Sequence, residues 1–256
     1  MASTQDINKT SELELFGVRF HALTTHQLLK LITLRARQDD KTIVSYVNIH
    51  TLNLAYELKW YKDFLNQADL VYCDGFGVIL GAILAARNIK LEHRQTCPDW
   101  IEALAAACEE KELSIFYLAS DCHVLQASLE KLRQRFPRLK IAGHHGYFSK
   151  YGYENEQVIG RINQFKPDIL GVGFGMPTQE AWIKANKGKI EANVFISIGG
   201  CLDYYSDSVF RGPRFFTDHG FEWLVRLIVN PRRLWRRYII GNPLFFFRLL
   251  KETLAD

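Results

Sequence analysis

The chain has 256 residues, 48% of them hydrophobic, with 17 glycines, 7 prolines and a formal charge of +4. That balance excludes disordered, collagen-like and low-complexity classes, and the length supports one large domain or one domain with an addition. The charge is segregated: residues 211–256 hold nine basic and four acidic residues, a net +5, whereas the first 210 hold 23 basic and 24 acidic, a net −1. Such asymmetry points to a membrane-surface or nucleic-acid partner for the tail.

From residue 40 to about 200, short apolar runs alternate with helical patterns. TIVSYVN (42–48) reads as a strand before a helix near 50–60, and DLVYC (69–73) as a strand before helices at 76–87 and 98–111. LSIFYLA (113–119) precedes a helix at 122–135, LKIAGHH (139–145) one at 153–165, DILGVGFG (168–175) one at 178–190, and NVFISIGG (193–200) closes the series. Several runs are nearly all apolar, as parallel strands covered on both faces must be. The order predicts an α/β fold: a Rossmann-like, open, mostly parallel sheet with helices on both faces. Near residue 205 the alternation stops, and RGPRFF (211–216) marks a break. The expected division is an α/β catalytic core at 1–210 and a basic, helical, membrane-associating appendage at 211–256.

The N-terminal MASTQDINKTSELELFGVRF lacks a basic segment followed by an apolar stretch, so no secretory leader is expected. VILGAILAA (78–86) is too short to cross a bilayer and IIGNPLFFFRLL (239–250) is interrupted by Gly-Asn-Pro, so membrane contact is expected to be peripheral. Five separated cysteines without a C-x-x-C pair predict neither a disulfide framework nor a zinc site, and suggest a reducing cytoplasm.

In such sheets ligands bind beyond the carboxyl ends of the strands. Gly171, Gly173 and Gly175 there form either a tight turn or a phosphate cradle, and Gln179 beside them favours a ligand. Asp74, ending the second strand, is either a helix cap or a general base. Asn48, ending the first, can cap the next helix or hydrogen-bond a sugar hydroxyl. His144-His145 has no further ligand at matching spacing, so no metal is expected.

GFGMPTQEAW and GGCLDYYSDSVFRGPRFFTDHGFEWLVRLIVNPRRLWRRY, with Asp74-Gly75 and Gly146-Tyr147-Phe148, resemble the WecG/TagA/CpsF family of bacterial glycosyltransferases over about residues 13–250. The resemblance implies an inverting, metal-independent transfer, without cofactor, from a UDP-sugar to a polyprenyl-pyrophosphate-linked saccharide at the cytoplasmic membrane face, for a surface polysaccharide or exopolysaccharide. It makes Asp74 the general base, in place of the cap, and makes Asn48, Arg94 and Gln179 donor or active-site contacts, with Gly171, Gly173 and Gly175 beside the donor. Tyr46-Val-Asn48, Arg94-Gln-Thr-Cys97-Pro-Asp99, Ala119-Ser120 and Asp203 to Asp207 depart from the usual T-x-N, R-x-x-G-x-D, Gly-Gly and D-x-x-x-G. These departures fall where the sugar or nucleotide should lie, which leaves the donor a hexose or N-acetylhexosamine, glucose included.

In the tail, Arg232/Arg236 and Arg233/Arg237 are i,i+4 pairs among Trp235, Tyr238 and Phe245-Phe246-Phe247, the composition of a peripheral membrane helix. Arg211, Arg226, Arg233, Arg236 and Arg237 are the candidates for holding an anionic membrane surface or the acceptor's pyrophosphate. A homo-oligomer is admitted. The rival readings are a nucleic-acid-binding protein, which lacks any reader motif, and a nicotinamide-dependent oxidoreductase, which lacks G-x-G-x-x-G.

Overall fold

A computed structural model describes residues 11–254; the first ten residues of the leader reading and the last two of the tail lie outside the described residues. The chain opens with a hairpin, β1 (Ser11–Leu15) and β2 (Val18–Ala22), closed by Phe16 and Gly17 at φ of 56° and 69°. Two consecutive left-handed residues match the twist of paired strands in a two-residue turn. Thr24 starts α1 (Thr25–Arg35) with a reciprocal cap: its hydroxyl accepts from Gln27 N–H at 3.3 Å, and Gln27 Oε1 accepts from Thr24 N–H at 2.9 Å. These three elements lie ahead of the alternation expected from residue 40.

The alternation itself is present: β3 (Thr42–Val47), α2 (Ile49–Glu57), α3 (Lys59–Gln67), β4 (Leu70–Cys73), α4 (Phe76–Leu84), α5 (Cys97–Glu110), β5 (Ile115–Ala119), α6 (Cys122–Arg135), β6 (Ile141–His144), α7 (Gly152–Phe165), β7 (Ile169–Gly173), α8 (Thr178–Asn186), β8 (Val194–Ser197) and α9 (Cys201–Tyr205). The sheet order is β1-β2-β4-β3-β8-β7-β5-β6, antiparallel only between β1 and β2. Every residue of β3, β4, β5 and β8 is buried, because helices cover both faces. Leu52, Phe64, Ile79, Ile159 and Ile183 pack on one face, and Leu28, Trp100, Leu129 and Leu202 on the other.

On that second face the starts of α5 and α9 meet, and Cys97 and Cys201 form a disulfide with Cα atoms 5.6 Å apart. This corrects the expectation of unpaired cysteines: the partners lie 104 positions apart, so spacing along the chain carries no trace of the pairing. Cys73 and Cys108 are buried and Cys122 is exposed, all three free.

The basic tail forms α10 (Arg214–Asp218), α11 (Glu222–Val229), α12 (Pro231–Trp235), a wide turn at Arg236–Ile240 and α13 (Gly241–Thr253). Its last helix is seated on the core. Phe245 is fully buried, stacks edge-on against Phe16 at 5.4 Å, and lies so close to Gly81 that a Cβ there would fall 2.6 Å from its ring. Arg248 donates to Asn53 Oδ1 at 3.0 Å and pairs with Glu57 at 2.8 Å. With that anchor in place, α11, α12, the wide turn and the start of α13 wall the cavities described next, at the carboxyl ends of the strands.

Candidate active site

The register sets Val47 opposite Cys73, so the residues that follow, Asn48 and Asp74, leave the sheet side by side, and Asp74 N–H donates to Val47 O at 2.7 Å. Asn48 does two things at once. Its Oδ1 accepts from Thr51 N–H at 3.0 Å, capping α2, while its Nδ2 donates to Asp74 Oδ2 at 3.4 Å. Asp74 caps nothing: α4 begins after Gly75, at φ 96°, with no side-chain cap. Burial raises the Asp74 pKa above the usual carboxylate range; Arg226 and hydrogen bonds from Asn48 and Thr96 oppose that rise, and Glu222 adds to it.

Asp74 opens onto a cavity of about 530 Å³, whose polar wall is Asn48, Arg94, Thr96, Glu222, Arg226 and Arg237. Phe76, Leu80, Trp223, Ile239, Pro243 and Phe246 line it as well. Arg94 is held by donating to Thr217 O at 2.7 Å, and Arg226 by an ion pair with Glu222 and by the Tyr204 ring, 4.4 Å away. A second cavity of about 520 Å³ opens over β7 and β8, lined by Gly175, Gly199, Gly200, Asp203, Arg233 and Arg236. Both cavities share His50, Arg226, Arg237 and Tyr238. Burial and the charge of Arg237 push the His50 imidazole down to about 4, with Glu57 opposing, so it is neutral at neutral pH. Nε of both Arg226 and Arg237 is buried without a hydrogen-bond partner.

The expected residues therefore divide. Asp74, Asn48 and Arg94 line the first cavity, Gly175, Arg233 and Arg236 the second, and Arg226 and Arg237 both. Gly171, Gly173 and Gln179 are on neither wall. A Cβ on Gly171 would fall 2.7 Å from the Tyr117 ring, and one on Gly173 would fall 2.5 Å from Gly199 O, so these glycines make room for neighbouring protein. Gln179 is fully buried; its Oε1 accepts from Gly199 N–H at 3.0 Å and its Nε2 donates to Glu180 Oε1 at 2.7 Å. It braces the wall of the second cavity from behind. Arg211 is also outside: it forks onto Asp99 at 2.5 and 2.9 Å and reaches Glu222 at 3.4 Å. At these four positions the protein itself takes the space or the hydrogen bonds that a ligand contact would use.

Thr96, Glu222 and Trp223 in the first cavity, His50 and Tyr238 in both, and Gly199, Gly200 and Asp203 in the second are further wall residues. Position near a strand end could have found His50, at the start of α2, and the glycine pair, within three residues of β8; Thr96 comes from the loop before α5, Asp203 from α9, and the others from the tail. Among the described residues, no three His, Cys, Asp or Glu side chains are grouped to hold a metal ion, and no helix is long and apolar enough to cross a membrane.

Comparison with known proteins accords with this arrangement. The chain is 29% identical over 253 residues to proteins of Staphylococcus aureus strains NCTC 8325, MW2 and MRSA252, covering 97% of this chain and 96% of theirs. Those relatives are named N-acetylglucosaminyldiphosphoundecaprenol N-acetyl-beta-D-mannosaminyltransferase. The profile of the glycosyl transferase WecG/TagA/CpsF family matches residues 13–256. With a carboxylate at a parallel strand end, arginines around it and this match over nearly its whole length, the chain belongs to the WecG/TagA/CpsF family of glycosyl transferases.

Proposed function

We infer that this glycosyltransferase moves a hexose or N-acetylhexosamine from a UDP-sugar to a polyprenyl-diphosphate-linked saccharide, with inversion, in the synthesis of a bacterial surface polysaccharide or exopolysaccharide. The observation that carries the reading is the Asp74 carboxylate, free of any capping duty, aimed into a cavity with Arg94, Arg226 and Arg237. The acceptor class is supported by the relatives' names, which specify a diphosphoundecaprenol acceptor and a β-linked product. A β-linkage is what one displacement on an α-linked sugar nucleotide yields.

Asp74 takes the proton from the acceptor hydroxyl as that oxygen attacks the anomeric carbon; the bond from that carbon to the diphosphate breaks, and its electron pair leaves with UDP. Burial suits Asp74 to the task, since a carboxyl raised above its ordinary value is a stronger base. The shared arginines, Arg226 and Arg237, receive the charge that develops on the leaving diphosphate. His50, neutral between the cavities, can donate or accept a hydrogen bond without competing for that charge.

The protein works as a peripheral enzyme on the cytoplasmic face of the membrane. Ile228, Trp235, Ile239, Ile240 and Phe247 are exposed between the exposed arginines 232, 233 and 236, an arrangement suited to an anionic bilayer surface. The test is turnover of a panel of UDP-sugars with N-acetylglucosaminyl-diphosphate-polyprenol by wild type and Asp74→Asn. Product from UDP-N-acetylmannosamine alone would overturn glucose as a donor, and near-wild-type kcat in Asp74→Asn would overturn the base.

A further inference from the structure

We propose that the cavity beside Asp74 is an isoprenoid subsite, taking the diphosphate-proximal prenyl units of the acceptor against Phe76, Leu80, Trp223, Ile239, Pro243 and Phe246. The inference rests on the acceptor class inferred above and adds where its lipid goes. A saccharide and a diphosphate alone give no reason for this wall. Polar groups held against six apolar side chains would lose water without gaining hydrogen bonds, a cost that an isoprenoid reverses into a gain.

The cationic lining fixes which isoprenoid. Arg94, Arg226 and Arg237 line the same cavity, and the buried Nε atoms of Arg226 and Arg237 have no hydrogen-bond partner. Cationic donors and hydrocarbon lining one cavity match a prenyl diphosphate and fit a free alcohol or a free diphosphate less well. The second cavity also has apolar residues, among them Leu54, Val209, Leu234 and Leu244, but it is the more polar of the two, with Asp203, Asn230, Arg233 and Arg236, and is left to the nucleotide.

The cavity also leads to the surface in the right direction. Leu80 is 39% and Ile239 56% exposed at its mouth. Beyond it α4 exposes Ile83 and Leu84, and α13 exposes Phe247 and Leu250. The two helices are packed together where Phe245 meets Gly81, so these side chains form one apolar border from the cavity outward. A chain of many isoprene units can then run from Asp74 into a bilayer without crossing polar surface.

The experiment measures binding to the full chain, without vesicles or detergent, by titration calorimetry with inorganic diphosphate, geranyl diphosphate, farnesyl diphosphate and farnesol. Affinity should rise with chain length, with farnesyl diphosphate at least about tenfold tighter than inorganic diphosphate. Farnesol should bind more weakly than farnesyl diphosphate. Leu80→Ser, at a half-exposed position that can change without unfolding the chain, and Phe246→Ser should each shrink the chain-length effect to below about threefold. Equal affinity for inorganic and farnesyl diphosphate, or an undiminished chain-length effect in Leu80→Ser, would overturn the subsite. Sugar transfer does not enter this measurement. Chain-length-dependent binding without any transfer would therefore uphold the subsite and sink the transfer reading, and transfer without chain-length dependence would do the reverse.

Discussion

Glu180 lies behind the second cavity with no exposed surface, accepting from Gln179 Nε2 at 2.7 Å through Oε1, and its other oxygen has no hydrogen-bond partner. Burial pushes its carboxyl from an ordinary 4.5 up to about 7, against hydrogen bonds that favour the ionised form. In the unfolded chain the group ionises through its ordinary value; in the folded chain it keeps its proton until about pH 7. Below the lower value both states are protonated and nothing is lost, whereas above the higher one folding carries the cost of an ionised buried acid, about 3 kcal/mol. Glu180→Gln keeps an acceptor for Gln179 and removes that cost. It should leave stability nearly unchanged at pH 4.5 and raise it by up to about 3 kcal/mol at pH 8, with most of the change between. Urea unfolding of both proteins across that range reads the difference directly. A gap between wild type and variant that stays constant with pH would refute the reasoning, since it would place the Glu180 charge in neither state's balance.

Asp74→Asn should lower kcat by about 10²- to 10⁴-fold, the usual worth of a general base, measured with saturating donor and acceptor. Because burial raises the Asp74 pKa in the folded state, ionisation costs stability above its ordinary range, and the same variant should melt no lower than wild type at pH 8. Gly173→Ala should destabilise by about 1–3 kcal/mol in denaturant unfolding, because its Cβ would fall 2.5 Å from Gly199 O, which is backbone. Trp235→Ser with Phe247→Ser, both at exposed positions, should weaken co-sedimentation with anionic vesicles and leave the melting temperature in place.

The strands from residue 42 onward were legible because helices cover both sides of the sheet, which forces unbroken apolar runs such as Thr42–Val47. The opening hairpin was not, because β1 exposes Ser11, Glu12 and Glu14 at the sheet's edge, and only its Phe16-Gly17 turn betrays it. Asp74 and Asn48 were legible from position alone: the residue after a strand in this architecture faces the cleft. Their exact duties needed coordinates, since Asn48 is both cap and cleft residue and Gly75 relieves Asp74 of capping. Gly171 and Gly173 misled because a glycine reports only that space is short; a phosphate and the Tyr117 ring ask for the same residue. Arg211 misled because its partner, Asp99, is 112 positions away, and charge counted along a tail is blind to such pairings.

The segregation of charge between core and tail acquires a structural meaning at the shared wall. The core supplies Asp74, Arg94 and His50, but Arg226, Arg237 and Tyr238, the other residues common to the two cavities, all come from beyond residue 210, as does Glu222, which pairs with Arg226. The tail can hold them there only because Phe245 and Leu249 are buried in the core and Arg248 is tied to Asn53 and Glu57. Deleting residues 211–256 would therefore uncover Phe16 and Gly81, take Arg226 and Arg237 from the cationic wall and strip the tail's share of the exposed apolar border in one step. Loss of transfer and of vesicle binding in such a deletion would follow from any of the three. Single changes separate them: Arg237→Ala at the shared wall acts on the diphosphates, Leu80→Ser on the lipid, and Trp235→Ser on the bilayer, because Arg237 is a cation of both cavities, Leu80 an apolar residue of the first, and Trp235 an exposed residue lining neither.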